Sequence, residues 1–290
     1  MAILLFDWGG SSVKYSVWDN GSLVQKSAFK TPADWPAMQA AMMAIYHQYR
    51  QDFTLEGVSI SAPGNVDPER GVIGGLSAIP YIHHFCIVDE LRALFKLPVC
   101  IENDANAAAI AEAAIGAGQR DETVLFVIVG SGVGGAVVRN KTLHRGAHKY
   151  AGEFGLMTLH DGKTFSELGT AVAMARRYCE RKALIADSLN GSDIFRLAEE
   201  GDILAQEEVA SFYHWMATGL LNLQVCYDPD CIIIGGGISS NDAVIAGIQQ
   251  QLRESVAEKG LSEFLPRVVA CQYRNDANLI GAAVHFTRAI

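Results

Sequence analysis

Apolar and polar positions alternate along this chain with two periods, and the periods recur in a fixed order. Positions 2–7, 13–18 and 23–27 read as three short strands, with Asn20-Gly21 as the hairpin turn between the second and third. A helix is expected over 35–49, where Met38, Met42, Ile45 and Tyr49 fall at helix spacing. Strand 55–61 runs into the loop Ala62-Pro63-Gly64-Asn65-Val66-Asp67. Helix 88–95 and strand 99–102 follow, and Asn103-Asp104 opens an alanine-rich helix that ends near Gly116. Then the order begins again. Strands at 122–129, 136–140 and 142–145 repeat the opening. Helices at 165–180, 193–199 and 205–227, strand 231–234, helix 242–257, strand 267–270 and helix 277–288 complete the chain.

A repeat of this length is a duplicated lobe and not a solenoid. At 290 residues the chain also exceeds one ordinary core and suits two domains. The short polar junction 116–121 marks the expected boundary. The first lobe is expected over 1–117, completed by the C-terminal helix 277–290, and the second over 118–276.

Two glycine-rich, hydroxyl-bearing turns stand at equivalent places in the two halves. They are Asp7-Trp8-Gly9-Gly10-Ser11-Ser12-Val13-Lys14 and Gly130-Ser131-Gly132-Val133-Gly134-Gly135-Ala136. Such a turn gathers bare backbone N–H groups and a hydroxyl at one point, which suits a phosphate. Read alone, each is equally a hairpin turn with glycines for geometry. The second also fits G-x-G-x-x-G, but a dinucleotide site needs a helix next, and the β-branched AVVRN follows. A Walker A loop fails because Met157 stands where the first glycine before Gly162-Lys163-Thr164 should be. Trp8 is bulky for a phosphate turn and reads either as core or as a wall of a nucleotide site.

Three stretches carry acids in exposed yet rigid settings. Asp104, at a strand-to-helix junction, is either a general base for a sugar hydroxyl or an N-cap. Glu153 in Ala151-Gly152-Glu153-Phe154-Gly155-Leu156 and Glu167 in Ser166-Glu167-Leu168-Gly169 either accept paired sugar hydroxyls or are surface acids. His83-His84, His144, His148 and His160 lack metal-ligand spacing and read as loop histidines.

Composition narrows the classes. Half of the residues are apolar and 19% are charged, an ordinary soluble balance. The net charge of −9 and pI near 5.4 argue against a nucleic-acid or membrane-surface binder. No apolar run reaches ~18 residues, and no basic leader precedes the first strand, so a cytoplasmic protein is expected. The six cysteines form no CxxC or CxC and read as reduced core thiols.

Together, DWGGSSVK, SAPGNVD, IENDANAAAIAE, GSGVGGA, AGEFG, SELGT and IIIGGGIS resemble, in order and over essentially the whole chain, the repressor/open-reading-frame/kinase (ROK) family of sugar kinases. The resemblance implies duplicated actin/hexokinase-like (ribonuclease H-like) α/β lobes with a cleft between them, holding ATP and sugar. It implies that Asp104 is the catalytic base and that Gly64, Asn65, Asn103, Asp104, Glu153 and Glu167 hold the sugar. Gly9, Gly10, Ser11, Ser12 and Lys14, with Gly130, Ser131 and Gly132, fall in the phosphate turns. Asp7 falls near Mg2+, and Gly235, Gly236 and Gly237 near the nucleoside. Family habit implies a homodimer, with the long helices of the second lobe as candidate interface.

The departures carry information. Ser12 and Ser131 replace the usual Thr but keep the hydroxyl. Leu156 replaces a zinc-binding His, and the C-x-C-G-x-x-G-C cluster is missing, so no zinc site is expected. This pattern resembles a zinc-less subgroup, the bacterial beta-glucoside kinases, as do TGLLNLQVCYDPDCIIIGGGISS and NLIGAAVHF. Leu156, near the sugar's anomeric end, would leave room for a β-linked second sugar. The expected activity is transfer of phosphate from ATP to the 6-hydroxyl of a glucose unit in a β-glucoside such as cellobiose. Alternatives are a glucokinase or an N-acetylhexosamine kinase of the same family. From another class, the rivals are a sugar-responsive regulator, disfavoured by the acidic charge and the early position of Asp7, and an inactive sugar-binding relic.

Overall fold

The computed structural model describes residues 2–290. Its first half contains β1 (Ala2–Trp8), β2 (Ser12–Asp19), β3 (Ser22–Lys30), α1 (Trp35–Tyr49), β4 (Leu55–Ala62), β5 (Asn65–Asp67), β6 (Val72–Gly74), α2 (Ile87–Phe95), β7 (Val99–Asn103) and α3 (Asp104–Ile115). The second half contains β8 (Thr123–Val129), β9 (Val133–Arg139), β10 (Thr142–His144), β11 (Thr158–His160), β12 (Lys163–Thr164), α4 (Phe165–Leu168), α5 (Ala171–Arg181), α6 (Gly191–Glu199) and α7 (Ile203–Tyr227). β13 (Cys231–Gly236), α8 (Asp242–Glu258), β14 (Val268–Ala270) and α9 (Ala277–Ala289) follow.

The chain divides into two units. The first comprises Met1–Gly116, Arg145–Tyr150 and Asn275–Ile290, and the second Ala117–His144 and Ala151–Arg274. Each has one five-stranded sheet of the same topology: β3-β2-β1-β4-β7 in the first, β10-β9-β8-β13-β14 in the second. In both, the opening three strands pair antiparallel and the last two join in parallel. The duplicated α/β architecture expected from the sequence is therefore present. The segment Arg145–Tyr150, expected in the second lobe, belongs instead to the first unit.

β1 shows why this sheet forms. All seven of its residues are buried, as expected for a strand covered on both faces. Leu4, Phe6 and Trp8 point to one side, into a core with Met38, Met42 and Ile60. Ile3 and Leu5 point to the other, onto Leu279, Ala282, Ala283 and Phe286 of α9. That settles Trp8 as a core residue: it is 1% exposed and meets Trp35 edge-on at 5.9 Å.

The alanine-rich α3 packs against α9 at close range. A Cβ on Gly281 of α9 would lie 1.7 Å from the Ala107 carbonyl oxygen, so only glycine allows this approach. The alanines of α3 are thus small because a second helix backbone lies against them.

Three details differ from the sequence reading. Position 165–180 is not one helix: Gly169 ends α4, and the Thr170 hydroxyl caps α5 by accepting from Ala173 N at 3.1 Å. The second glycine turn is shorter, because Gly134 and Gly135 already pair within β9. Of the cysteines, Cys179, Cys231 and Cys271 are buried, whereas Cys226 is exposed and Cys86 and Cys100 are half-buried; none forms a disulfide. Among the described residues, no helix is long and apolar enough to cross a membrane.

Candidate active site

In the first unit, sheet register assembles a row of polar side chains at the ends of the strands. Asp7 of β1 lies opposite Lys14 of β2 and Ser61 of β4, and Ser61 lies opposite Glu102 of β7. Asp7 is buried, and its Oδ1 accepts from Ser61 Oγ at 2.9 Å and Asn278 Nδ2 at 3.0 Å. Its Oδ2 faces Lys14 Nζ at 3.6 Å. The turn after β1 is closed by Gly9 N donating to Ser12 O at 3.0 Å and braced by the Thr31 hydroxyl on Gly9 O at 2.6 Å. Gly10 and Ser11 remain exposed at its tip.

Asp104 sits at the first position of α3. The N-cap is not Asp104 but Asn103, whose Oδ1 accepts from Asn106 N at 3.1 Å. The Asn103 Nδ2 donates to Gly64 O at 3.0 Å and ties the 64–65 loop to the helix start. Asp104 is thereby released from capping, and its Oδ1 accepts from its neighbour, Ala105 N, at 2.8 Å. Burial pushes its carboxyl from the ordinary 3.8 to about 6, and the charge of Asp7 pushes the same way. A carboxylate of this kind is ionised at neutral pH yet holds a proton well, as a general base requires.

The second unit holds the second turn. Gly130 N donates to Gly132 O at 2.9 Å, and Ser166 Oγ accepts from Val133 N at 2.9 Å, bracing this turn as Thr31 braces the first. Gly130 and Ser131 are exposed. Gly130 and Gly237 line one cavity of about 290 Å3 with Val129, Phe195, Ile238 and Val244. The first turns of α5 and α6 reach the same cavity through Ala171 and Gly191, and so does Asn241, the N-cap of α8. Three helix N-termini converge on an apolar slot, a setting that favours a flat ring with an anionic tail.

The predicted glycines of β13 divide by role. Gly237 lines the cavity, and a Cβ there would meet nothing. Gly236 has φ +83, and a Cβ on it would fall 2.1 Å from the Val129 carbonyl oxygen, so it shapes the strand exit. Gly235 is buried, and Phe126 occupies the space its side chain would take.

Glu153 is exposed, just before the short 3-10 turn Phe154–Leu156, and lines neither the slot nor the small cavity on the Ser131 side. Glu167 lines the small cavity beside Ser131. Its Oε2 accepts from Thr164 N at 2.8 Å and Thr164 Oγ1 at 2.7 Å, forming the capping box of α4. These bonds hold its carboxyl below the usual range. The cap fixes the Glu167 carboxylate beside Thr164. Sequence reasoning missed Asn190, Gly191, Ser192 and Asn241 in the slot; an Asn directly before each helix was the available signal.

The ROK family model matches residues 4–289. The chain belongs to the ROK family. It is 34% identical to a beta-glucoside kinase of Listeria monocytogenes over 295 aligned residues, covering 99% of this chain and 97% of that one. Among solved structures, a ROK family protein from Streptococcus pneumoniae in complex with sucrose is 34% identical, with TM-score 0.91 and coverage of 100% and 99%. A ROK family glucokinase from Streptomyces griseus, in complex with glucose and AMPPNP, is 26% identical with TM-score 0.77, covering 98% of each chain.

Proposed function

We propose that this protein is an ATP-dependent sugar kinase that phosphorylates the 6-hydroxyl of a glucose unit in a β-glucoside such as cellobiose. The observation that carries the reading is Asp104. It is a half-buried carboxyl, free of capping duty, with its proton affinity raised to about pH 6 at the end of β7. In a sugar kinase such a group takes the proton from the 6-hydroxyl. The freed oxygen then attacks the γ-phosphorus as its bond to the ADP oxygen breaks.

Gly64, Asn65, Asn103 and Glu153 would orient the sugar. The exposed turn amides around Gly10–Ser11 and Gly130–Ser131 would offset charge that builds on the phosphates. The slot at Gly130 and Gly237 takes the nucleoside, a reading supported by its converging helix ends and by the AMPPNP held by the glucokinase neighbour. Asp7 fits a magnesium–nucleotide: Oδ1 is anchored by Ser61 and Asn278, while Oδ2 meets only a loosely placed Lys14. Magnesium, when bound, supplies charge neutralisation on the phosphates. The β-glucoside preference rests on the similarity to beta-glucoside kinases and on Leu156, an exposed apolar residue.

The test is ADP release with ATP and magnesium across cellobiose, gentiobiose, salicin, glucose, N-acetylglucosamine and N-acetylmannosamine. Turnover strongest on the β-glucosides, lost by ~10²–10⁴-fold in Asp104→Asn, is the expected result. Turnover on a monosaccharide alone would keep the kinase and discard the β-glucoside preference. No turnover on any sugar would overturn the reading in favour of a sugar sensor.

A further inference from the structure

Arg145 opens the segment Arg145–Tyr150, which belongs to the first unit although its chain neighbours His144 and Ala151 belong to the second. Two ion pairs fasten this strap: Lys149 to Asp67, and Arg145 to Glu102. The second pair is the unusual one. Glu102 is fully buried, and Arg145 meets it with both ends of its guanidinium, Nη2 at 2.6 Å from Oε2 and Nη1 at 2.9 Å from Oε1. The same Oε1 accepts from Asn103 N at 2.9 Å and from Asn106 Nδ2 at 3.1 Å. Glu102 therefore grips the backbone just before Asp104 and a side chain just after it.

Asp104 is held only from within its own turn. Its carboxylate accepts from Ala105 N at 2.8 Å and is also hydrogen-bonded by Asn103, so its place follows the backbone turn from β7 into α3. That turn is set by Glu102, and Glu102 in turn needs a matching charge, because a buried carboxylate is tolerated only when paired.

We propose that Arg145 is a positioning residue for phosphoryl transfer, acting through Glu102 to set where Asp104 stands. This rests on the reading of Asp104 as the base. The guanidinium matters beyond its charge, since Nη1 hydrogen-bonds Oε1 while Nη2 lies beside Oε2 as an ion pair, two contacts that a single ammonium does not span. Glu102 then keeps its third and fourth contacts for the helix start. A cavity of about 360 Å3 lies beside the pair, lined by Arg145, Cys100, Ile101, Arg92 and His285. Small solutes can therefore reach the place of the guanidinium.

The experiment is steady-state kinetics of Arg145→Ala and Arg145→Lys with the best sugar of the panel, beside their thermal midpoints. For Arg145→Ala, kcat falls ~10–100-fold, the scale of an approximately 1 Å misplacement, while KM for ATP stays within about twofold. Millimolar guanidinium restores part of kcat, and urea at equal concentration does not. Arg145→Lys falls between. A wild-type kcat in folded Arg145→Ala overturns the proposal, as does a loss that guanidinium leaves untouched. Where Arg145→Ala does not fold, Arg145→Lys decides: a lowered kcat with unchanged KM for ATP upholds the role, and a wild-type kcat overturns it. Wild-type protein that turns over no sugar overturns the kinase reading itself, a failure visible before any variant is compared.

Discussion

Asp104 illustrates how one residue trades stability for chemistry. Its folded pKa, about 6, lies above the ordinary 3.8 that an unfolded chain shows. Between those values the folded state keeps a proton that the unfolded state has lost. The stability contributed by this group is therefore full below pH ~4 and is lost as pH rises through about 6. Activity runs the other way, because only the ionised form accepts a proton: kcat/KM should rise through pH ~6 and level off above it. Asp104→Asn should consequently be inactive yet more stable than wild type at neutral pH, by on the order of 3 kcal/mol, and little more stable at pH 4. Urea unfolding at both pH values reads this, and an equal effect at both would remove the raised pKa from the account. Leu156 makes a second residue-level case. It is 70% exposed, where an apolar side chain gains nothing from water. Leu156→His should lower the ratio of cellobiose to glucose turnover severalfold in the same ADP assay. An unchanged ratio would detach this residue from specificity.

At the scale of elements, helix-to-helix approach is set by missing atoms. Gly281→Val would drive a side chain into the Ala107 carbonyl, which Gly281 now clears. α9 would have to retreat from α3, and urea unfolding should show a loss of ~3 kcal/mol or more, as for an overpacked core; a loss below ~1 kcal/mol would mean the helices are free to part. Such elements were largely legible in the sequence. α1 was read with its final bounds, because Met38, Met42 and Tyr49 repeat at helix spacing and are buried. Less legible were elements too short for any period. β5 and β6, three residues each, lie in what reads as plain loop. The break between α4 and α5 was missed because apolar spacing continues across Gly169 and Thr170. For the candidate site, motif order singled out both turns and Asp104, since these are local in sequence. Arg145 with Glu102, and Asn190 with Asn241, went unread, because pairings over long sequence separations leave no local pattern. The acid of SELGT was read as a ligand, although T-x-x-E before a helix is also a capping box.

For the whole molecule, duplication assigns different tasks to two similar units. The first sheet ends in charged and polar side chains, Asp7, Ser61, Glu102 and the Asp104 that follows β7. The second ends in glycines and helix N-termini around an apolar slot. On the proposed reading, the same topology presents acid–base chemistry in one copy and nucleotide recognition in the other. Each ligand should leave its own footprint in hydrogen exchange. A non-hydrolysable ATP analogue alone should slow exchange around 129–132, 190–192 and 237–241, all in the second unit. Sugar alone should slow the amides around 64–65 and 103–106, all in the first. Both together should add protection at 9–12, because the tip of the first turn, Gly10 and Ser11, is exposed. A ligand present at about 100 times its Kd stabilises the folded state by roughly 2.7 kcal/mol, so protection factors near 100 are the scale expected for amides that exchange by opening the bound form. If the nucleotide analogue left 190–192 and 237–241 unchanged while protecting the first unit, the slot would not be the nucleoside site. The helix ends that converge on it would then require another ligand.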